Sequence, residues 1–363
     1  MDIRSTLNAE RALVRHDRVV LGMGRCAAIV IVSVLLGLAS AGCDSGKRTV
    51  ALHGAGSTLP APLYQRWFAD YSATHPGIQI RYEAVGSGEG VRRFIDGSLD
   101  FGASDIGMTD DQIARVPSGV QMIPMTASAL ALAYNPAGLP NAICLSRAAY
   151  SGICLGRVVT WNDSAIGSFN PDLALPAMPI TFVHRSDESG STIVLHRHLC
   201  AISSEWREHF GGEPEPTWPV GVGAKGEDGV VERVKTTPGA IGYMSYSRAR
   251  EEKLPMATLE NNAGSLVAPS VRSGQAGLAG FHLPPNLLGW VDDPPGRTAY
   301  PIVTLTWMLC YKKYEDPDVA AAMRDLIHFG LSERGQQMAD DFGFVRLSEP
   351  VVNASEIALD NVH

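Results

Sequence analysis

An α/β fold with mainly parallel sheets is predicted by three observations. Stretches of strand length alternate with amphipathic stretches of helix length from about residue 50 onward. Apolar residues make up 45% of the 363-residue chain and charged residues 19%, a balance that buries one large or two modest cores. Gly 37 and Pro 23 supply the turns that such an alternation needs. The net charge is −8 and no Lys/Arg-rich run occurs. That excludes a nucleic-acid binder, whose affinity comes largely from basic charge.

At the N-terminus, Arg11, Arg15, Arg18 and Arg25 precede an apolar run, Cys26–Leu38, that ends in Ala39-Ser40-Ala41-Gly42-Cys43. A spanning helix needs about 20 apolar residues. Residues 1–42 therefore read as an export signal, with an uncleaved anchor as the alternative and Met23 as an alternative start. The small residues before Cys43 resemble a bacterial lipobox, although Ser40 stands where Leu is usual, and Asp44 resembles an inner-membrane retention signal. The resemblance implies a diacylglycerol-bearing, palmitoylated lipoprotein anchored through Cys43, with residues 43–49 as its tether. Two acyl chains suffice for stable anchoring. Residues 1–42 carry five Arg and three acids, so the mature chain is two units more negative than the whole. Cys144, Cys154, Cys200 and Cys310 remain; outside the cytoplasm Cys144–Cys154 is the nearer candidate disulfide, and buried free thiols are the alternative.

Along the mature chain, a helix begins near Pro60, with Leu63, Trp67, Phe68 and Tyr71 on one face. Residues 78–85 alternate as a half-buried strand. A helix opening at Gly86-Ser87-Gly88 turns Val91, Phe94 and Ile95 inward, and residues 100–104 form a short strand. Met122–Ala133 predicts one or two strands, Pro179–His184 another that runs into Arg185, and Ser189-Gly190-Ser191 a helix start. Strands follow at Ala240–Tyr246 and Ile302–Tyr311, then helices at Asp318–Phe329 and Glu333–Asp340. Segment 264–299, rich in Gly, Pro and Ser, reads as a surface excursion.

Three helix mouths carry the chemistry: Gly54-Ala55-Gly56-Ser57-Thr58, Gly86-Ser87-Gly88 and Ser189-Gly190-Ser191. At a helix start the backbone N–H groups lack partners and the local field is positive. Glycine admits an anion to the backbone, and hydroxyls add donors. One such mouth is ordinary capping; three, with Arg185 four residues before Ser189, point to a shared anion site.

Gly54–Pro62, Gly102-Ala103-Ser104-Asp105, His184–Ser191 and Gly239–Tyr243 resemble the phosphate-binding protein of bacterial phosphate ABC importers, in the family's order. Trp161-Asn162-Asp163, Gly221–Gly229 and Tyr300-Pro301-Ile302 add to the match. The resemblance implies a two-lobed periplasmic-binding-protein fold of type II, each lobe a mixed sheet flanked by helices, with a two-strand hinge near Ser128–Tyr134 and Tyr300–Trp307. Residues 50–130 and 306–363 would form lobe one, and residues 131–305 lobe two. It also implies that Thr58, Leu59, Ser87, Ser189, Gly190 and Ser191 donate to phosphate, that Arg185 supplies a guanidinium fork, and that Asp187 orients it. Asp105 would be the discriminator. A carboxylate tolerates a bound anion only where that anion still has a proton to give, and phosphate has one near neutral pH whereas sulfate has none.

Two acids depart from the family, Glu89 and Glu188, beside binding positions; His53 adjoins the first mouth. The implied partners are inorganic phosphate, the permease subunits of an ABC importer and a membrane through the lipid anchor, with no nucleic acid. A monomer without a cofactor is expected, on the periplasmic side of the inner membrane, or on the outer face of the cytoplasmic membrane where there is no outer membrane. The alternatives are a phosphate sensor or adhesin on the same scaffold, a site for another oxyanion, and a phosphatase-like enzyme. Against the enzyme, His196-Arg197-His198-Leu199-Cys200 has a spacing that scatters its side chains round a helix, and Lys225 is followed by Gly, unlike a nucleotide loop.

Overall fold

The computed structural model describes residues 49–363. The expected export signal, the lipidation site Cys43 and all but the last residue of the tether lie outside the described residues.

Among the described residues there are eleven strands: β1 Val50–Gly56, β2 Ile78–Ala84, β3 Phe101–Ser104, β4 Val120–Tyr134, β5 Cys144–Leu145, β6 Thr181–Arg185, β7 Val222–Ala224, β8 Ala240–Ser245, β9 Thr258–Glu260, β10 Leu266–Val267 and β11 Val303–Tyr311. Eight of them form one sheet in the order β2-β1-β3-β11-β4-β8-β6-β7; β10, β9 and β5 form a small second sheet. The flanks are parallel, β2 and β3 on β1, β7 and β8 on β6. The centre is antiparallel, with β11 between β3 and β4 and β4 against β8. The sheet is thus more mixed than strand–helix alternation alone suggests, because β4 and β11 run antiparallel to their neighbours.

These two strands are shared by both halves. β4, expected as one or two strands, is a single strand buried at all 15 positions. Residues 120–129 of β4 pair with β11, and residues 130–134 pair with β8. A register shift falls at Thr306/Trp307, opposite Pro124, whose missing N–H suits a bulge. One hydrophobic cluster gathers residues from Leu52 to Ala127 and from Leu305 to Val362. A second lies between Ala129 and Val303, and a third covers the other face of β6 and β8 with Val183, Val230, Val234 and Met244. The cores change over at residues 127–129 of β4 and 303–305 of β11.

Helix Ala61–Thr74 buries Leu63, Trp67, Phe68 and Tyr71, the face its periodicity sets out. The helices Pro317–Leu331 and Glu333–Asp341 match their expected spans to within two residues. Segment 264–299 is more structured than expected. It holds β10 and helix Val271–Leu278, and Leu287 is buried in the first cluster, with its carbonyl accepting Trp307 Nε1–H at 2.7 Å. Helix Glu349–Leu359, which the periodicity reading does not include, buries Val351, Ala358 and Leu359.

The Cys144–Cys154 disulfide does not form; all four described cysteines are free. Helix Arg147–Cys154 separates the two, and at about 1.5 Å per residue it carries Cys154 away from β5. Burial pushes the Cys154 thiol far up and the Cys310 thiol to about 12, so both stay protonated.

Candidate functional site

Chain direction decides where the site lies. The parallel strands β1, β2, β6 and β7 each end in a short turn that opens a helix: Ala61–Thr74, Ser87–Ile95, Gly190–Ile202 and Gly226–Thr236. Open parallel sheets bind ligands at these carboxyl ends, where unpaired N–H groups collect. Two glycines make the approach close enough. Gly86, at φ 99°, turns the chain into its helix in the left-handed region. At Gly190 a Cβ would lie 2.5 Å from Ser87 Oγ and 2.9 Å from Asp105 Cβ. Gly190→Ala is therefore expected to wedge the two halves apart and to weaken ligand binding at least tenfold, measured by titration calorimetry, with little change in the circular-dichroism spectrum.

The structure brings most of the named residues together. Asp105, just past β3, is 1% exposed. Its carboxylate accepts Ser57 Oγ at 2.7 Å on each oxygen, Thr306 Oγ1 at 3.1 Å and Ser191 Oγ at 3.4 Å. Its amide donates to Ser87 Oγ at 3.3 Å, and its carbonyl accepts Thr304 Oγ1 at 3.0 Å. Burial raises this carboxyl to about 6, against the lowering pull of Ser57, Thr306, Arg185 and Ser191.

Arg185, at the end of β6, is 5% exposed. Its guanidinium grips Asp187 with both arms, Nε at 2.7 Å and Nη2 at 2.5 Å, and Nη1 donates to Thr58 Oγ1 at 3.1 Å. Asp187 also accepts Gly226 N–H at 2.8 Å, and the guanidinium holds its carboxyl below the ordinary range despite partial burial. The Arg185 amide donates to Tyr243 Oη at 2.9 Å, and Tyr243 bonds Thr192 Oγ1 at 2.5 Å. Ser189 caps its helix by accepting Thr192 N–H at 3.3 Å. Leu59 is buried, and its amide donates to Ser57 Oγ at 3.1 Å. Contacts from Arg185 to Thr58, Ser191 to Asp105 and Gly88 N–H to the Glu188 carbonyl (3.2 Å) join the β6 side to the β1–β3 side.

The two departing acids lie differently. Glu89 is held by Arg92 and Arg93 on its own helix, a pairing that consumes its charge. Glu188 is exposed. His53 is exposed on β1, its main chain paired with Asp100. His196 meets Trp206 and the Glu213 carbonyl, whereas His198 meets Tyr150 and the Asp292 carbonyl, so the two face different partners. Among the described residues no group of His, Cys, Asp or Glu is arranged to hold a metal ion.

The sequence reading assigns no site role to Ser57, Thr306, Tyr243 or Glu227, although Ser57 stands in the first helix mouth and Tyr243 ends a matching motif. Thr304 and Thr306 alternate as the polar residues of an otherwise apolar β11, a signal for a face turned to a polar site. Glu227, beside the cleft in helix Gly226–Thr236, is buried and accepts Ser245 N–H at 2.6 Å; burial raises it to about 7. An acid with a raised folded-state value holds its proton when the unfolded chain has lost it, so stability falls as pH climbs from about 4.5 to 7. Glu227→Gln keeps an acceptor for Ser245 without that cost. It is expected to raise the urea midpoint at pH 8 and to leave it nearly unchanged at pH 4.5.

A two-lobed α/β chain with hydroxyls, helix mouths and one oriented arginine facing each other across its shared strands is a solute-binding protein of the periplasmic type. The PBP superfamily domain matches residues 44–334. The phosphate-binding protein PstS of Methanocaldococcus jannaschii is 33% identical over 362 aligned positions, covering 91% of this chain and 92% of that protein. That of Xylella fastidiosa is 32% identical over 312 positions, covering 85% of each chain. The chain belongs to the PstS family of phosphate-binding proteins. Among solved structures, the phosphate-binding protein of Stenotrophomonas maltophilia superposes with a TM-score of 0.67 at 19% identity, covering 85% of this chain and 94% of its own. The periplasmic phosphate-binding protein PfluDING, solved with bound phosphate, gives 0.68 at 21%, covering 85% and 93%. Both share this two-lobed fold.

Proposed function

We propose that this chain captures inorganic phosphate between its lobes and delivers it to the permease subunits of an ABC importer, binding without catalysis. In this reading Thr58, Leu59, Ser87, Ser189, Gly190 and Ser191 donate to the anion, Arg185 adds its fork, and Asp187 orients that fork. The lobes comprise residues 50–130 with 306–363, and residues 131–305, although Leu287 packs into the first core. Cys43 carries the lipid that keeps a monomer at the outer face of the cytoplasmic membrane.

The observation that carries the reading is a buried carboxylate, Asp105, set among donors. It suits a ligand that keeps a proton. The relatives named for binding phosphate support the same ligand. Magnitudes agree: micromolar binding needs about 8 kcal/mol, and each hydrogen bond to a charged group contributes about 1.5–3 kcal/mol. Several donors supply that without an excess of cations, since the Arg185 charge is already matched by Asp187.

Titration calorimetry on the purified protein tests the proposal, with phosphate, arsenate and sulfate as ligands. Micromolar or tighter phosphate binding is expected, with arsenate competing and sulfate at least a hundredfold weaker. Equal affinity for sulfate and phosphate refutes the role of the proton.

A further inference from the structure

The Ser57 hydroxyl is not among the donors assigned above to the anion, yet it lies against the carboxylate at the heart of this site. It is 1% exposed, donates to Asp105 at 2.7 Å from each carboxylate oxygen, and accepts Leu59 N–H at 3.1 Å. A carboxylate offers about four lone-pair directions. Those of Asp105 meet Ser57 on both oxygens, Thr306 on one and Ser191 on the other. These are three donors, because the one Ser57 proton is shared between the two oxygens, and a fourth that approaches between the oxygens meets the Ser57 hydroxyl.

Asp105 and the Leu59 amide are also the acceptor and one of the donors assigned above to the anion. A protonated phosphate oxygen between them accepts from the amide and donates to the carboxylate. The Ser57 oxygen already does both. Release of Ser191, the longest of the contacts, frees a lone pair on Asp105 but leaves the Leu59 amide occupied. Only release of Ser57 frees the two together.

We propose that Ser57 is a specificity-setting placeholder, whose hydroxyl holds the pair of hydrogen bonds that a P–OH group takes over when phosphate binds. The inference rests on the reading of the site as a phosphate cleft. Phosphate displaces the hydroxyl and replaces both bonds. Sulfate, with no proton, gains nothing at Asp105 by displacing it and meets a carboxylate screened by a neutral group.

The test compares wild-type protein with Ser57→Ala at pH 7.5 by titration calorimetry, using inorganic phosphate and sulfate. The variant is expected to bind phosphate about tenfold more tightly and sulfate more weakly, because the exchange is no longer needed and the carboxylate keeps only Thr306 and Ser191 as donors. Phosphate affinity unchanged within twofold, or weaker, overturns the inference while leaving the phosphate reading intact. Absence of phosphate binding by the wild type removes both. A second measurement covers a variant that fails to fold. In nitrogen-15-labelled wild type, the Leu59 amide resonance is expected to move downfield on saturation with phosphate, as its acceptor changes from a hydroxyl to an anion. A resonance that stays in place overturns the exchange.

Discussion

Replacement of Arg185 by alanine is expected to remove most phosphate binding and to destabilise the fold by about 3 kcal/mol. Both effects follow from one geometry. The guanidinium is 5% exposed and fixed by two bonds to Asp187 and one to Thr58 across the cleft. Removing one member of a buried pair leaves the other with an uncompensated charge, which typically costs about 3–5 kcal/mol. The lower end applies because Asp187 keeps the Gly226 N–H and some solvent. In the proposed site, loss of the charge-assisted bonds from Arg185 to the anion is expected to add a roughly ten- to hundredfold fall in affinity. Arg185→Lys keeps the charge but cannot span Asp187 and Thr58 at once, so partial stability without full affinity is expected. Urea unfolding and calorimetry on both variants separate the two losses.

Asp105→Asn is expected to move stability and specificity in opposite directions. The buried carboxyl titrates at about 6 where the ordinary value is 3.8. Between those values the folded protein binds more protons than the unfolded chain, so stability declines as pH rises through that window, and the full cost is present above it. At 1.36 kcal/mol per pH unit the cost is about 3 kcal/mol. The asparagine variant avoids it and is expected to unfold at higher urea than wild type at pH 7.5, with the gap closing near pH 4. Its amide can donate to an anion that brings no proton, so sulfate is expected to bind at least tenfold better relative to phosphate. If the variant keeps the wild-type preference, the ligand's proton is read by another group.

Much of the fold was legible because its signals are local. The buried face of helix Ala61–Thr74 follows from the spacing of Leu63, Trp67, Phe68 and Tyr71. Gly86-Ser87 and Ser189-Gly190 mark helix starts because capping depends on neighbours within a turn. The single long β4 was less clear. Its two halves serve different cores, and each alone has the length of an ordinary strand. Helix Glu349–Leu359 escaped because its buried residues are few and its Glu, Asn and Ser obscure the period. The cysteine pairing failed for the converse reason: nearness in sequence says little about nearness in space when a helix intervenes.

By itself the amino-acid sequence determined the alternation of strand and helix, the donor-rich helix mouths and the residue types gathered for an anion, since each depends on torsions and hydrogen bonds within a few residues. Only the tertiary structure decided which hydroxyls face Asp105. Ser57 lies 48 residues before it and Thr306 lies 201 after it, and the pairing of β3 with β11 and β1 brings both to one carboxylate. A buried charge takes its properties from whatever surrounds it in three dimensions, and that neighbourhood exists only once the strands are paired.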